Sequence, residues 1–344
     1  MKSPRLIYLV TRAHSLRTHL VRPEEINTMV KARNLVEVVD VLLKGKYAAE
    51  VSKIPVKEID ASTLERIFLK KLVERFHFVV EIAPSRVQDF LKEYARRFEI
   101  ENIRRIIRAK HAGEAVEEAS LIPLAREYTL VNSPPLLKAR DVQEVVELLR
   151  ETIYAPLTEK LELYKRYGAT LILEACLDDI YFERLWETVD KLPDGKEVKH
   201  LVGAEMDLKN LIIALGLKMR GVEPSLIEEL LISNWYKLRV STLRSVARAR
   251  MEDAIDVLSH TTYAKLAREA QSLYEKALFS DVERLFLRQS YNNALAALRH
   301  HPLKIVYVLA YLLLCEQEAK NLTTIAVGKE LKLGEEKIQG NIII

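Results

Sequence analysis

Residue types able to do chemistry are plentiful in this chain, but their spacing assembles no reactive set. The histidines are His14, His19, His77, His111, His200, His260, His300 and His301. None forms the His-x-x-x-His pair that places two metal ligands on one helix face, so they read as surface and helix-end residues. Gly328-Lys329 suggests a phosphate loop, yet Glu330 stands where a Ser or Thr is needed and Thr323 where a Gly is needed. Asp178 and Asp179 invite a metal or acid–base reading. Neighbours on a helix point more than a quarter-turn apart, so the pair reads as helix surface. No Gly-x-Ser-x-Gly elbow is present. The residues therefore point to a chain that is not an enzyme, with no catalytic residue, no cofactor and no bound metal.

Two further groups have plain readings. Cys176 and Cys315 each lie in an apolar stretch without a Cys or His at ligand spacing, as expected of reduced core thiols. Arg104, Arg105, Arg108 and Lys110 form a basic cluster of which only the Lys recurs elsewhere. It reads as a solvated face, with an acidic protein partner as the second choice. Net charge is +4, from 53 basic and 49 acidic residues, which demands no nucleic-acid partner.

The elements that carry these residues are helices. Of 344 residues, 49% are apolar and 30% charged, and only 10 are Gly and 11 Pro. Few breakers in so long a globular chain predict long helices with short connections. Ser62-x-x-Glu65, Ser85-x-x-Gln88 and Ser280-x-x-Glu283 read as capping boxes ahead of apolar residues at helical spacing. No period-2 alternation bounded by turns appears. The apolar run Ile305–Cys315 is shorter than the ~20 residues a membrane helix needs. The N-terminus, with Lys2, Arg5, Arg12 and Arg17, lacks a signal core.

Three landmarks repeat with one period. Glu99, Asn102 and Lys110 recur as Asp207, Asn210 and Lys218, and again as Glu318, Asn321 and Lys329. The Asn residues stand 108 and 111 positions apart. Ala32-Arg33, Ala139-Arg140 and Ala249-Arg250 lead to Tyr47, Tyr154 and Tyr263, the arginines 107 and 110 apart. A break at Pro84, Pro193 or Pro302 precedes each Asn box, and Gly113, Gly221 or Gly334 follows it. This period has the size of a small domain. The chain is read as all-α, three tandem homologous helical-bundle domains spanning 1–113, 114–221 and 222–344. Acid, Asn and Lys share one helix face. That face is either a repeated partner surface or, the reading preferred, a set of buried hydrogen bonds to a neighbouring helix. Arg33, Arg140 and Arg250 are expected to pair with acids of their own domain.

These boxes resemble the C subunit of the archaeal, or vacuolar-type, rotary ATP synthases, a family related to the eukaryotic vacuolar d subunit. The resemblance rests on Tyr8–Arg12, on Leu177-Asp178-Asp179-Ile180-Tyr181, and on Glu318-Ala319-Lys320-Asn321-Leu322 with Ile325 and Gly328-Lys329, within the threefold arrangement. Departures are Ala214, where the other copies have Ile, and the apolar tail Asn341–Ile344. The resemblance implies a pseudo-threefold funnel in the central stalk, peripheral at the cytoplasmic face of the membrane. Its partners would be the D and F axle subunits and the membrane rotor-ring proteolipid, and its task the transmission of torque between ion transport and ATP chemistry. A helical adaptor with other protein partners is the alternative.

Overall fold

The computed structural model describes residues 4–55, 58–276 and 278–344, and the described residues contain helices and turns but no strand. The helices run α1 (Pro4–Arg17), α2 (Pro23–Lys31), α3 (Leu35–Leu43), α4 (Ala48–Val51), α5 (Ala61–Ile82), α6 (Ser85–Ala112), α7 (Ser133–Lys138), α8 (Val142–Leu148), α9 (Leu157–Tyr167) and α10 (Leu171–Val189). They continue as α11 (Gly195–Leu211), α12 (Leu217–Met219), α13 (Pro224–Glu229), α14 (Val240–Arg248), α15 (Met251–Ser259), α16 (Ala264–Glu275), α17 (Phe279–His300), α18 (Ile305–Glu330) and α19 (Glu335–Asn341). Long helices thus alternate with strings of short ones.

The chain divides into two compact units. One gathers the described residues up to Gln88, Ala119–Ala125 and Ala294–Ile344. The other gathers Asp89–Glu118 and Arg126–Asn293. In the first, α18 lies along α5 and also meets α1. Every residue from Ile305 to Leu312 is buried, which explains the apolar run as a helix surrounded by protein. Each fully buried Leu or Ile there contributes about 1.5–3 kcal/mol. No helix among the described residues is long and apolar enough to cross a membrane. In the second unit, Leu208, Leu211, Ala214, Leu243, Val246 and Phe286 share one core. There α11 passes into α12 through a π-helical turn, Ile212–Gly216, and that turn holds Ala214.

The helix starts differ in detail from the sequence reading. Asp60, not Ser62, caps α5, accepting from the Thr63 amide at 2.6 Å. Ser85 is the first residue of α6, and the Pro84 carbonyl accepts from the Val87 and Gln88 amides. Ser280 lies inside α17. Polar residues two apart compete for a cap, and local sequence does not decide which wins.

The helix ends hold a correction as well. Gly113 and Gly221 take left-handed backbone, with φ of 73° and 72°, three residues after Lys110 and Lys218. In the third copy that conformation falls on Lys332, φ 55°, three residues after Lys329. Gly334 instead starts α19 with φ −62°. The closing bonds match: the amides of Glu114, Val222 and Leu333 donate to the carbonyls of Ala109, Leu217 and Gly328.

Candidate functional site: a thrice-repeated acid–tyrosine node

The acid of each Asn box meets the tyrosine of an Ala-Arg box. Tyr47 donates its hydroxyl to Glu318 at 2.8 Å, Tyr154 to Glu99 at 2.7 Å and Tyr263 to Asp207 at 2.9 Å. All three acids are buried. Each also accepts backbone amides from the segment that leads into a short helix. Val21 donates to Glu318 at 2.5 Å, ahead of α2. Leu130 and Val131 donate to Glu99 at 2.6 and 2.8 Å, ahead of α7. Tyr236 and Lys237 donate to Asp207 at 3.2 and 2.9 Å, ahead of α14. A buried carboxylate is costly unless its lone pairs are filled, and here several donors converge on each.

The lysine holds the other end of the same short helix. Lys329 Nζ donates to Val30 O at 2.5 Å in α2, Lys110 to Leu137 O at 2.8 Å in α7, and Lys218 to Ala247 O at 2.9 Å in α14. A carboxylate at the entry and an ammonium at the exit complement the helix dipole, so the short helix lies parallel to the long one that grips it. Burial holds the Lys218 pKa below its usual value.

Asn210 and Asn321 each clamp the backbone of one residue through both its N–H and its C=O. Asn210 accepts from the Ile232 amide at 2.8 Å and donates to the Ile232 carbonyl at 3.3 Å. Asn321 treats Ile343 the same way, at 3.1 and 2.7 Å. Asn102 is buried too. The apolar tail is therefore a repeat feature: Ile343 stands to Asn321 as Ile232 stands to Asn210.

The nodes differ in their cations. Arg75 is buried in the first unit and reaches Glu318 at 2.5 Å and His19 O at 3.0 Å. Burial opposes its charge, but Glu318, with Cys315 and Tyr47 beside it, together outweigh that and hold the guanidinium pKa above its usual value. Arg96 stands 3.7 Å from Glu99. Asp207 has no ion-pair partner among the described residues, and burial raises its pKa above the usual carboxylate range despite its hydrogen bonds. Burial, and then the adjacent carboxylate, push the three tyrosine hydroxyls far up, so they act as neutral donors. The acids of the three nodes are thus hydrogen-bonded by tyrosine hydroxyls and backbone amides.

Arg33, Arg140 and Arg250 are not part of it. Their side chains are 87%, 86% and 88% exposed. They meet acids three or four residues on: Glu37 at 2.5 Å, Glu144 at 2.9 Å and Asp253 at 3.4 Å. Glu37 and Glu144 also accept the Arg33 and Arg140 amides, while Asn34 and Asp141 cap α3 and α8. The recurrence of this box reflects how a short helix starts.

Sequence reasoning missed an ionic layer in the second unit. Arg104 and Lys209 both bind the buried Asp178, and Arg108 binds Glu174. Arg97 binds Glu205 at 2.9 Å and donates to the Tyr181 hydroxyl at 3.0 Å. Asp179 accepts from the amide and hydroxyl of Ser233, both at 2.8 Å. Arg104 and Arg108 thus contact α10, Lys110 holds α7 and Arg105 meets Glu101 of its own helix, rather than together forming a solvated face, and the Asp pair is held by α6, α11 and the Ser233 segment. Gly328 likewise has a packing reason, since a Cβ there would stand 2.7 Å from Ile338 Cγ1. His14 stacks on Tyr307, and His111 and His200 each lie against a tyrosine, Tyr164 and Tyr236. Cys176 and Cys315 are buried free thiols, their pKa pushed up by burial to about 11 and about 12. No group of three or more metal-ligating side chains gathers among the described residues.

The described residues thus form a helical chain in which one acid–tyrosine lock is used three times. Similarity to known proteins assigns the family: residues 9–341 match the model of the ATP synthase (C/AC39) subunit. The chain is 28% identical to the C subunit of the A-type ATP synthase of Methanosarcina mazei, with 98% of this chain and 92% of the relative covered. It is 24% identical to the same subunit of Haloferax volcanii, covering 98% and 97%. The Methanothermobacter thermautotrophicus relative, of the same name, is 31% identical over 79% of this chain and 72% of its own length. The chain belongs to the ATP synthase (C/AC39) subunit family.

Proposed function

We propose that this chain is the non-catalytic central-stalk subunit that couples the axle of an archaeal or vacuolar-type ATP synthase to its membrane rotor ring. In this reading three homologous helical domains form a pseudo-threefold funnel. One end sits on the ring proteolipid at the cytoplasmic face and the cavity takes the D and F axle subunits. Torque passes through the chain between ion transport and ATP synthesis or hydrolysis.

The observation that carries the proposal is the thrice-repeated node. A torque-bearing part must keep its helices in fixed register, and buried charge-assisted hydrogen bonds resist sliding because their geometry has no equivalent one residue away. The Glu318–Tyr47 bond fits it further, because the last long helix grips the first short ones. The family match supports the setting.

The test is affinity capture from native membranes with this chain as bait. Recovery of the ring proteolipid together with the D and F subunits is expected. Recovery of neither, from membranes whose synthase is intact, would leave a helical adaptor with other partners.

A further inference from the structure

The missing cation at Asp207 coincides with an open cleft. In the second unit a cleft of about 460 Å3 is lined by Tyr236 and Tyr263, the residues that donate an amide and a hydroxyl to Asp207. Three exposed cations border it, Lys237, Lys265 and Arg288, against one carboxylate, Glu269. Lys265 lies 3.9 Å from Glu269, beyond hydrogen-bond distance. Lys237 and Arg288 have no carboxylate partner among the described residues. The Lys237 ammonium instead lies 5.5 Å from the centre of the Tyr236 ring.

The first unit shows what a self-sufficient cleft looks like. Beside the Glu318 node a smaller cleft, about 260 Å3, is also lined by cations. There Lys71 is paired with Glu50 at 2.5 Å and Arg75 with Glu318. Lys46 and Glu74 complete that lining, so two of its three cations are paired by the chain itself, whereas in the cleft at Asp207 Lys237 and Arg288 have no such partner among the described residues.

We propose that the cleft at Asp207 receives an acidic segment of a protein partner, whose carboxylates pair with Lys237, Lys265 and Arg288. This rests on the reading above, that partner chains of the synthase hold this one. The lining favours a polypeptide over a lone anion. Asn292 and Asn293 offer amides that suit a peptide backbone, and Leu266 and Leu285 offer apolar surface. Charge complementarity sets both the encounter and the orientation of such a segment.

The test uses synthase purified from native membranes and depleted of this chain, to which the chain is added back. Wild type, Lys237→Glu/Arg288→Glu and a control reversal at exposed lysines of the first unit, Lys53→Glu/Lys70→Glu, are compared, with unchanged Tm checked for each. Expected is a loss of at least tenfold in rebinding affinity for Lys237→Glu/Arg288→Glu, none for the control, and wild-type rebinding that weakens as salt rises. Rebinding of Lys237→Glu/Arg288→Glu equal to wild type overturns the cleft assignment and leaves the coupling role standing. Failure of the wild type itself to rebind overturns the coupling role and this inference with it. Thermal stabilisation by ATP or inorganic phosphate that Lys237→Glu/Arg288→Glu loses, with rebinding untouched, would assign the cleft to a small anion and overturn the proposal.

Discussion

Tyr47 donates its hydroxyl to Glu318 at 2.8 Å across 271 residues of sequence. The C-terminal long helix thereby completes a node whose tyrosine lies near the N-terminus, and Arg75 closes it with a buried ion pair. Removing one member of such a pair strands a charge in the core.

Glu318→Gln is expected to destabilise the chain by about 3–5 kcal/mol, because Arg75 is left buried without its counter-ion. Arg75→Met combined with Glu318→Gln should recover more than half of that loss. Urea unfolding of the two variants checks it. A double variant as unstable as the single one would mean that the hydrogen-bond set, not the charge pair, dominates the site.

Tyr47→Phe, Tyr154→Phe and Tyr263→Phe each delete one donor to a buried carboxylate. Each should cost about 1.5–3 kcal/mol, the range for a hydrogen bond to a charged group. Thermal unfolding of the three variants reads this directly. Losses below about half a kcal/mol in all three would mean that the node does not hold the chain together.

Lys332 pays the steric penalty that Gly113 and Gly221 avoid. Lys332→Gly should therefore stabilise the chain by about 1 kcal/mol, since left-handed backbone disfavours an L side chain by about that much. Gly334→Ala should be tolerated there by contrast, its φ being −62° and no atom lying within 4 Å of the added Cβ. Destabilisation by Lys332→Gly would contradict this view of the helix end.

The helical class, the period and the polar boxes were legible because each depends on local spacing. The pairing was not. One period relates acids to tyrosines equally well within a copy and between copies, so spacing alone leaves Glu99 free to meet Tyr47 or Tyr154. Burial of the acid and the direction of the chain after α6 select Tyr154. Arg104 and Arg108 looked solvated because their acids lie on α10, 74 and 66 residues away. The third left-handed position escaped notice for a simpler reason: a lysine occupies it, and glycine was the signal sought.

Two carboxyls should give pH dependences of opposite sign. Burial raises the Asp207 pKa in the folded chain, so the native state binds the proton more tightly than the unfolded one. Stability gained at low pH is lost as pH rises from about 4 through the raised value. Glu174 is the reverse. Burial opposes its charge, but the hydrogen bond and charge of Arg108, with the Thr170 hydrogen bond and the nearby Arg104, together outweigh it and lower the pKa. Its contribution is present above about pH 4.3 and lost as pH falls through the lowered value. Unfolding free energies of wild type against Asp207→Asn and Glu174→Gln across about pH 3–8 should show the two slopes. Equal signs would contradict the assignments.

The coupling role is tested most directly by watching whether the chain turns. The stator of the native synthase is fixed to a surface, a fluorescent probe is attached to an introduced cysteine on this chain in a Cys176→Ser/Cys315→Ser background, and ATP is added. Rotation of the probe together with the axle, stopped by locking the axle to the catalytic head, is the expected result. A probe that stays with the immobile part while the axle turns would contradict the account.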